Sequence, residues 1–259
     1  MIRSIIQNRI AKKIATVILV AVFWVAVWQI LYLAVDKEIL LVSPITVLTR
    51  LCVLVKLPSF WKTVVFTLIR ILIGFSLGVI VGGLLGTVTA KVKFLHTLFR
   101  PLITIIKATP VASFIILLLV WTKDSTIPVI ISFLMVLPII WSNVFNAIGQ
   151  VDNKLLQMAD VFELSLAKRF KYIYFPSVMP YFMSASVTAL GLSWKAGIAA
   201  EVLCQPDNSI GGMLQDAKIY LETPDLFAWT ITVIIISMIL EWLLIFFVNK
   251  LKKRRGVNI

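Results

Sequence analysis

Charge is scarce in this chain. Only 14% of its 259 residues are Asp, Glu, Lys or Arg, and 60% are hydrophobic; soluble domains carry about a quarter charged and about half apolar. A soluble globular domain is thereby excluded, and residence in a membrane is implied. Acidic residues are the scarcest, 12 against 25 basic. The resulting net charge of +13 is common in nucleic-acid binders, but the basic residues sit between apolar runs, the arrangement that encodes membrane topology. No nucleic-acid partner is expected. Histidine occurs once, at His96, and no H-E-x-x-H exists, which excludes an intramembrane metalloprotease. The one G-x-S-x-G, Gly74–Gly78, lies inside a long apolar run and not at the strand-to-helix turn that a serine nucleophile elbow needs. A G-x-x-x-x-G-K-S/T phosphate loop is missing too, since the glycines within Gly82–Lys91 lack its spacing. No catalytic residue, metal or cofactor is therefore expected on this chain. Cys52 and Cys204 form no ligand spacing; a disulfide or two free thiols would fit, and two free thiols are the expectation.

What the chain does have is apolar length. A helix needs about 20 apolar residues to cross the hydrocarbon core, and six stretches qualify: Ile14–Val35, Val64–Ala90, Leu102–Trp121, Thr126–Ile148, Val178–Leu203 and Leu226–Val248. The first is too long for the apolar core of a cleavable leader, and no small-residue cleavage site follows it. Lys107 and Pro110 make the third the least regular. With the N-terminus inside, most of the 25 Lys and Arg fall on the inner side, while Asp36, Glu38, Asp124, Asp207, Asp216, Glu222 and Asp225 fall outside. Both termini are thus expected to be cytoplasmic. Residues 1–259 read as a single all-α integral membrane domain, with two outer loops at Asp36–Thr63 and Cys204–Asp225. Glycines in "GFSLGVIVGGLLG" (Gly74–Gly86) suit close helix packing rather than a pathway.

One segment between the fourth and fifth spans is amphipathic. Leu155, Met158, Ala159, Phe162, Leu166 and Phe170 recur at steps of three and four, placing them on one helical face. A helix over Leu155–Phe170 would be about 24 Å long, and Pro176 stops any helix. Two readings fit: an interfacial helix on the inner leaflet, or a docking helix whose apolar face enters a groove on a soluble partner.

The residues themselves resemble the EAA loop of permease subunits of ABC importers: E-A-A, three residues, G, nine residues, I-x-L-P. Here the register reads Gln157-Met158-Ala159, three residues, Glu163, nine residues, Ile173-Tyr174-Phe175-Pro176. Ala159, Ile173 and Pro176 match in place. Glu163 stands where the family has Gly, which argues against a sharp turn there. "RILIGFSLGVIVGGLLG", "RPLITIIKATPVASF" and "YIYFPSVMPYFMSASVTALGLSWKAGIAAEVL" are similar to the nitrate, sulfonate and taurine branch of those permeases, from Val64 onward. The resemblance implies a type I importer permease architecture: an N-terminal span (14–35), a core permease region (about 64–248) and a cytoplasmic coupling loop (about 153–176). It implies as partners two copies of an ABC ATPase that uses ATP and Mg, a second permease copy, an extracytoplasmic substrate-binding protein and membrane lipid. Gln157, Met158, Ala159, Phe162, Glu163, Leu166, Ile173 and Pro176 would then couple to the ATPase, with Lys168, Arg169 and Lys171 at the rim of the contact. The cargo implied is a small anion such as a sulfonate, taurine or nitrate; similar permeases carry vitamin precursors.

Ionisable groups within spans invite a functional reading. Lys195 and Glu201 are six residues apart, so they point to different helix faces and are not expected to pair. Lys195 either faces the pathway and attracts an anion, or bonds carbonyls of a neighbouring helix. Glu201 is expected to reach water or a partner permease, Arg70 to snorkel outward, Glu241 to balance the cationic tail, and His96 to be a solvated loop residue. Trp194, beside Lys195, is a candidate pathway residue. An ion-driven secondary transporter would need acidic residues near mid-membrane and repeat symmetry, and neither is visible in the sequence.

Overall fold

The computed structural model describes residues 2–254, and of these the side chains of residues 15, 16 and 18–250. The basic groups assigned above to the inner side at Arg3, Arg9, Lys12, Lys13, Lys252, Lys253, Arg254 and Arg255 lie outside the described side chains. The described residues form helices and no strand: α1 (Ile2–Val35), α2 (Pro44–Leu54), α3 (Pro58–Lys91), α4 (Lys93–Ala108), α5 (Val111–Trp121), α6 (Ile127–Gly149), α7 (Asn153–Val161), α8 (Leu166–Arg169), a π-turn (Phe170–Tyr174), α9 (Phe175–Cys204), α10 (Ile210–Ile219) and α11 (Thr223–Arg254). All-helical architecture is what the composition demands, since lipid offers no partner for a backbone N–H or C=O left unpaired.

Five helical runs are long and apolar enough to cross a membrane: Ile18–Val35, Pro58–Lys91, Ile127–Gly149, Leu166–Cys204 and Thr223–Lys250. The sixth, expected as one span over Leu102–Trp121, is instead the pair α4 and α5, bent by 102°. Pro110 is the cause. The residue before a proline is forced out of the helical region, and Thr109 has ψ 128°. The segments expected as irregular loops hold α2 and α10. Ser43 caps α2, its hydroxyl accepting from the Thr46 N–H at 3.1 Å, with Pro44 at the first helical position, where its missing N–H costs nothing.

The chain divides into two compact units, Met1–Phe60 with Met213–Thr232, and Trp61–Gly212 with Val233–Ile259. In the first, the Trp28 indole N–H donates to the Val42 carbonyl at 3.1 Å. The Thr223 hydroxyl donates to the Ile39 carbonyl at 2.8 Å, and Phe60 stacks on Trp229 with centroids 4.9 Å apart. The Arg50 guanidinium holds Asp225 in a bidentate pair, Nη2 to Oδ2 at 2.8 Å. Its hydrogen bonds to the carboxylate push the Arg50 pKa up.

The second unit is built around α6, which packs along α9; Val136, Ile140, Val144, Ala185 and Ala189 fill that contact. α3 lies on α6 through a stripe of glycines four residues apart. A Cβ added at Gly78 would sit 2.6 Å from Val136 Cβ, at Gly82 2.9 Å from the Leu137 carbonyl oxygen, and at Gly86 2.9 Å from Val144 Cβ. Backbones approach this closely in lipid because dispersion contact replaces the hydrophobic drive that water would supply. The stripe is packing, as its spacing suggested. Gly83 is off it: a Cβ there would meet only Phe182, at 3.8 Å. Gly78→Ala is therefore expected to cost about 1–3 kcal/mol through overpacking and to lower the apparent Tm of the detergent-solubilised protein. Gly83→Ala, measured beside it, should leave that Tm unchanged or slightly raised.

Candidate functional site

The amphipathic segment between α6 and α9 is not one helix. α7 starts with Asp152, whose carboxylate accepts from the Lys154 N–H at 2.8 Å, and ends after Val161. Glu163 then takes a left-handed φ of 50°. The Leu164 N–H reaches back to the Ala159 carbonyl at 2.9 Å and the Glu163 N–H to the Asp160 carbonyl at 3.0 Å. That pair of bonds is a Schellman turn with Glu163 at the position where glycine is usual. The sharp turn thus forms despite the glutamate, and the continuous helix expected over Leu155–Phe170 is corrected to two. Tertiary contacts outweigh the local cost: Ala159, Val151 and Ile173 are buried together, with Leu156, Leu164 and Tyr174 against them.

Arg169 closes the turn from the other side. Its Nε donates to the Leu164 carbonyl at 2.8 Å, and its Nη1 lies 2.5 Å from Asp160 Oδ1. It is a clamp holding α8 to α7, while Lys168 and Lys171 remain exposed. Pro176 does not stop the helix either. The chain is helical from Leu166 to Cys204, and the Phe175 N–H bonds the Phe170 carbonyl, five residues back. The wider π-turn shifts the carbonyl register ahead of the proline, which otherwise clashes with the carbonyl four residues before it.

The motif residues therefore separate. Ala159 and Ile173 face inward and hold the loop together, while Gln157, Met158, Phe162, Glu163, Leu166 and Pro176 are exposed. Phe162 is 69% exposed and Leu166 84%. Val161, at 80%, joins this apolar cap. Helical periodicity overlooked it because it presumed one helix through the turn.

The ionisable residues of the fifth span sort just as sharply. Glu201 is fully buried. Its Oε2 accepts from the Thr67 hydroxyl at 2.9 Å and the Gly211 N–H at 3.2 Å, and its Oε1 from Arg70 Nη1 at 3.2 Å. Arg70 also donates to the carbonyls of Asp207, at 2.6 Å, and Asn208. Neither expectation survives: Arg70 does not snorkel, and Glu201 meets neither water nor open surface. Together they tie the segment after α9 back onto α3. Gly211 passes so close to Glu201 that a side chain has no room. Trp194 is 1% exposed, its indole N–H aimed at the Val233 carbonyl at 3.3 Å, so it packs rather than lining an open path. Lys195, as expected, does not pair with Glu201. It is exposed and makes no hydrogen bond or ion pair among the described residues, so neighbouring carbonyls do not hold it. His96 lies within α4, stacked on Phe145 with centroids 4.3 Å apart and on Trp141 at 5.9 Å, not in a solvated loop. Glu241 is exposed. Both cysteines are free, Cys204 buried and Cys52 exposed.

Comparison with known proteins adds to this geometry. The model of the family described as binding-protein-dependent transport system inner membrane component matches residues 74–256. The chain is 23% identical to SsuC of Bacillus subtilis, named as an aliphatic sulfonates transport permease protein, over 90% of this chain and 84% of that one. It is 29% identical to the nitrate import permease protein NrtB of Synechocystis, over 74% and 72%. With the bicarbonate transport system permease protein CmpB of Synechococcus elongatus it shares 27%, over 61% and 57%. Among solved structures, the inward-facing methionine ABC transporter MetNI superposes with a TM-score of 0.53 at 17% identity, covering 75% of this chain and 93% of that one. That likeness is one of fold.

Two substitution pairs test these assignments. Glu163→Gly relieves a left-handed residue and is expected to stabilise the protein by about 1 kcal/mol, whereas Glu163→Val should destabilise it; thermal unfolding of the two variants reads the difference. Glu201→Ala strands the Arg70 charge and should cost about 3–5 kcal/mol. Lys195→Ala, measured the same way, should leave stability unchanged.

Proposed function

The chain belongs to the binding-protein-dependent transport system inner membrane components, and from that premise we propose that it carries a small anion inward as one half of a paired permease. It is the transmembrane permease subunit of an ABC importer and spans the cell membrane several times. A second copy of the same chain completes the pathway, both termini face the cytoplasm, and two copies of a separate ATPase bind and hydrolyse ATP with Mg. An extracytoplasmic binding protein delivers the cargo. No nucleotide or other cofactor is held by this chain.

The observation that carries the coupling role is the exposed cap of Met158, Val161, Phe162 and Leu166 on a loop whose interior is tied down. Apolar side chains this exposed call for a partner surface, and short helices docking into a groove use such anchors. Stiffness matters equally. The Schellman turn, the Arg169 clamp and the buried Ala159–Ile173 contact let the loop move as a body. Unbroken helix from Leu166 to Cys204, 39 residues and about 58 Å at 1.5 Å per residue, carries that displacement into the span. Gln157 and Glu163, both exposed, are available as polar contacts, and Pro176 lies just past the π-turn within the rod.

For the cargo, the support is twofold. The relatives named above are for sulfonates, nitrate and bicarbonate, which are all anions, and Lys195 stands exposed without a counterion. The coupling is tested with Phe162→Asp and Leu166→Asp together. The double variant is expected to insert in the membrane at normal levels and to lose co-purification of the ATPase by about tenfold or more, as anchor residues of an interface do. Full retention of the ATPase would refute the assignment.

A further inference from the structure

A second cationic place exists that the coupling loop and Lys195 do not explain. On α4, His96, Arg100, Thr104 and Lys107 follow one another at steps of four, four and three, so they form a single stripe about 16 Å long. The stripe borders a cleft against α6, whose far wall carries Ser142 and Asn146. Its floor is the stack of His96 on Phe145 and Trp141, and the cleft, open to one side, has a volume of about 410 Å³.

Three features separate this cleft from an ordinary inner-surface charge cluster. First, the polar stripe lies between two apolar faces of α4: Ile103 and Ile106 are buried, Phe94, Leu98, Leu102 and Ile105 are 50–73% exposed, and Arg100, Thr104 and Lys107, exposed themselves, border the cleft with α6. Second, no carboxylate lines it, and neither Arg100 nor Lys107 has an ion-pair partner among the described residues. Third, α4 ends one residue beyond Lys107, at Ala108, just before the Thr109–Pro110 break, and backbone interrupted at membrane depth is tolerated where it borders a cavity.

We propose that this α4–α6 cleft is an anion-binding vestibule of the transport pathway, taking a small oxyanion between Arg100 and Lys107. The Asn146 amide completes its donors, the Ser142 hydroxyl being already committed to the Pro138 carbonyl at 2.8 Å, and the aromatic stack is the wall that any organic part of the cargo packs on. This rests on the reading of the chain as a permease for a small anion. The guanidinium can grip two oxygens at once while the ammonium acts as a point charge.

The test uses the complete complex of permease and ATPase in lipid nanodiscs. Calorimetric titration with sodium nitrate, sodium methanesulfonate and sodium bicarbonate is compared for the native chain and for Arg100→Gln/Lys107→Gln. At least one of these anions should bind the native complex, and the double variant should bind it about tenfold or more weakly, the size of losing a charge-assisted hydrogen bond. Lys123→Gln, which removes one charge elsewhere, should bind like the native chain. Nanodiscs of zwitterionic phospholipid alone and with anionic phospholipid added separate the two sources of an oxyanion. Binding of the small anion in zwitterionic lipid supports the vestibule; a response to anionic lipid only, equal binding by the double variant, or an equal loss in Lys123→Gln overturns it. ATP-driven uptake by the native complex in vesicles supplied with the binding protein is measured alongside. If uptake persists while the anion result is negative, the vestibule fails and the permease reading stands; if uptake is absent, the permease reading itself fails.

Discussion

In hydrocarbon every backbone N–H and C=O must find its partner within its own segment, and that constraint governs where this chain can be irregular. Along its long apolar runs the ladder of hydrogen bonds continues for 18 to 39 residues. It is interrupted at Thr109–Pro110 and widened at Phe170–Tyr174. Each interruption is compensated locally: the Thr109 N–H still reaches the Ile105 carbonyl, and the Phe175 N–H bonds five residues back instead of four. Each also adjoins a place proposed above to meet something other than lipid. The first borders the α4–α6 cleft, and the second joins the coupling loop to the longest helical run. Departures from helix are expensive here, so their positions carry functional information.

Much of this could be read from the residues. Span positions follow from hydropathy because length and apolarity alone decide whether a helix can cross. The small-residue stripe at Gly74, Gly78, Gly82 and Gly86 was legible as packing from its spacing of four. The loop motif was legible too, but its conformation was not. A glutamate at 163 argues locally against a left-handed turn, and only the burial of Ala159 against Val151 and Ile173 reverses that preference. Pro176 misled for a related reason: a proline forbids an α-turn at its own register, but not a π-turn that moves the register. Both errors come from treating local propensity as decisive where long-range contacts set the backbone.

Arg169 and Arg70 were illegible for a different reason. A sequence lists cations without saying which are already satisfied. Positive charge near an inner boundary reads as topology, and positive charge in a span near its end reads as snorkelling. Arg169 instead spends its charge on Asp160 and its Nε on Leu164, and Arg70 is wholly engaged with Glu201 and two carbonyls. The pairing partner of Arg70 lies 131 residues away, beyond the reach of any periodicity argument.

This sorting bears directly on how an anion could be moved. A cation neutralised by a buried carboxylate offers little field to a passing ion, because the pair is nearly dipolar and the carboxylate repels what the guanidinium attracts. Removing Arg70 would alter the architecture around Gly211 before it altered selectivity. A cation without a counterion is different: its field is uncompensated, and in a cleft with apolar walls it is weakly screened. Lys195, Arg100 and Lys107 are of that second kind, and they occur on two different helices of the same unit. For conduction each should bind an anion weakly, since release requires that no single site hold the ion too well. Separate, exposed cations satisfy that requirement better than one tightly enclosed arginine would; the hydrogen bonds of Arg70 and Glu201 set that pair in the scaffold, and under the proposal made above the anion falls to the unpaired groups.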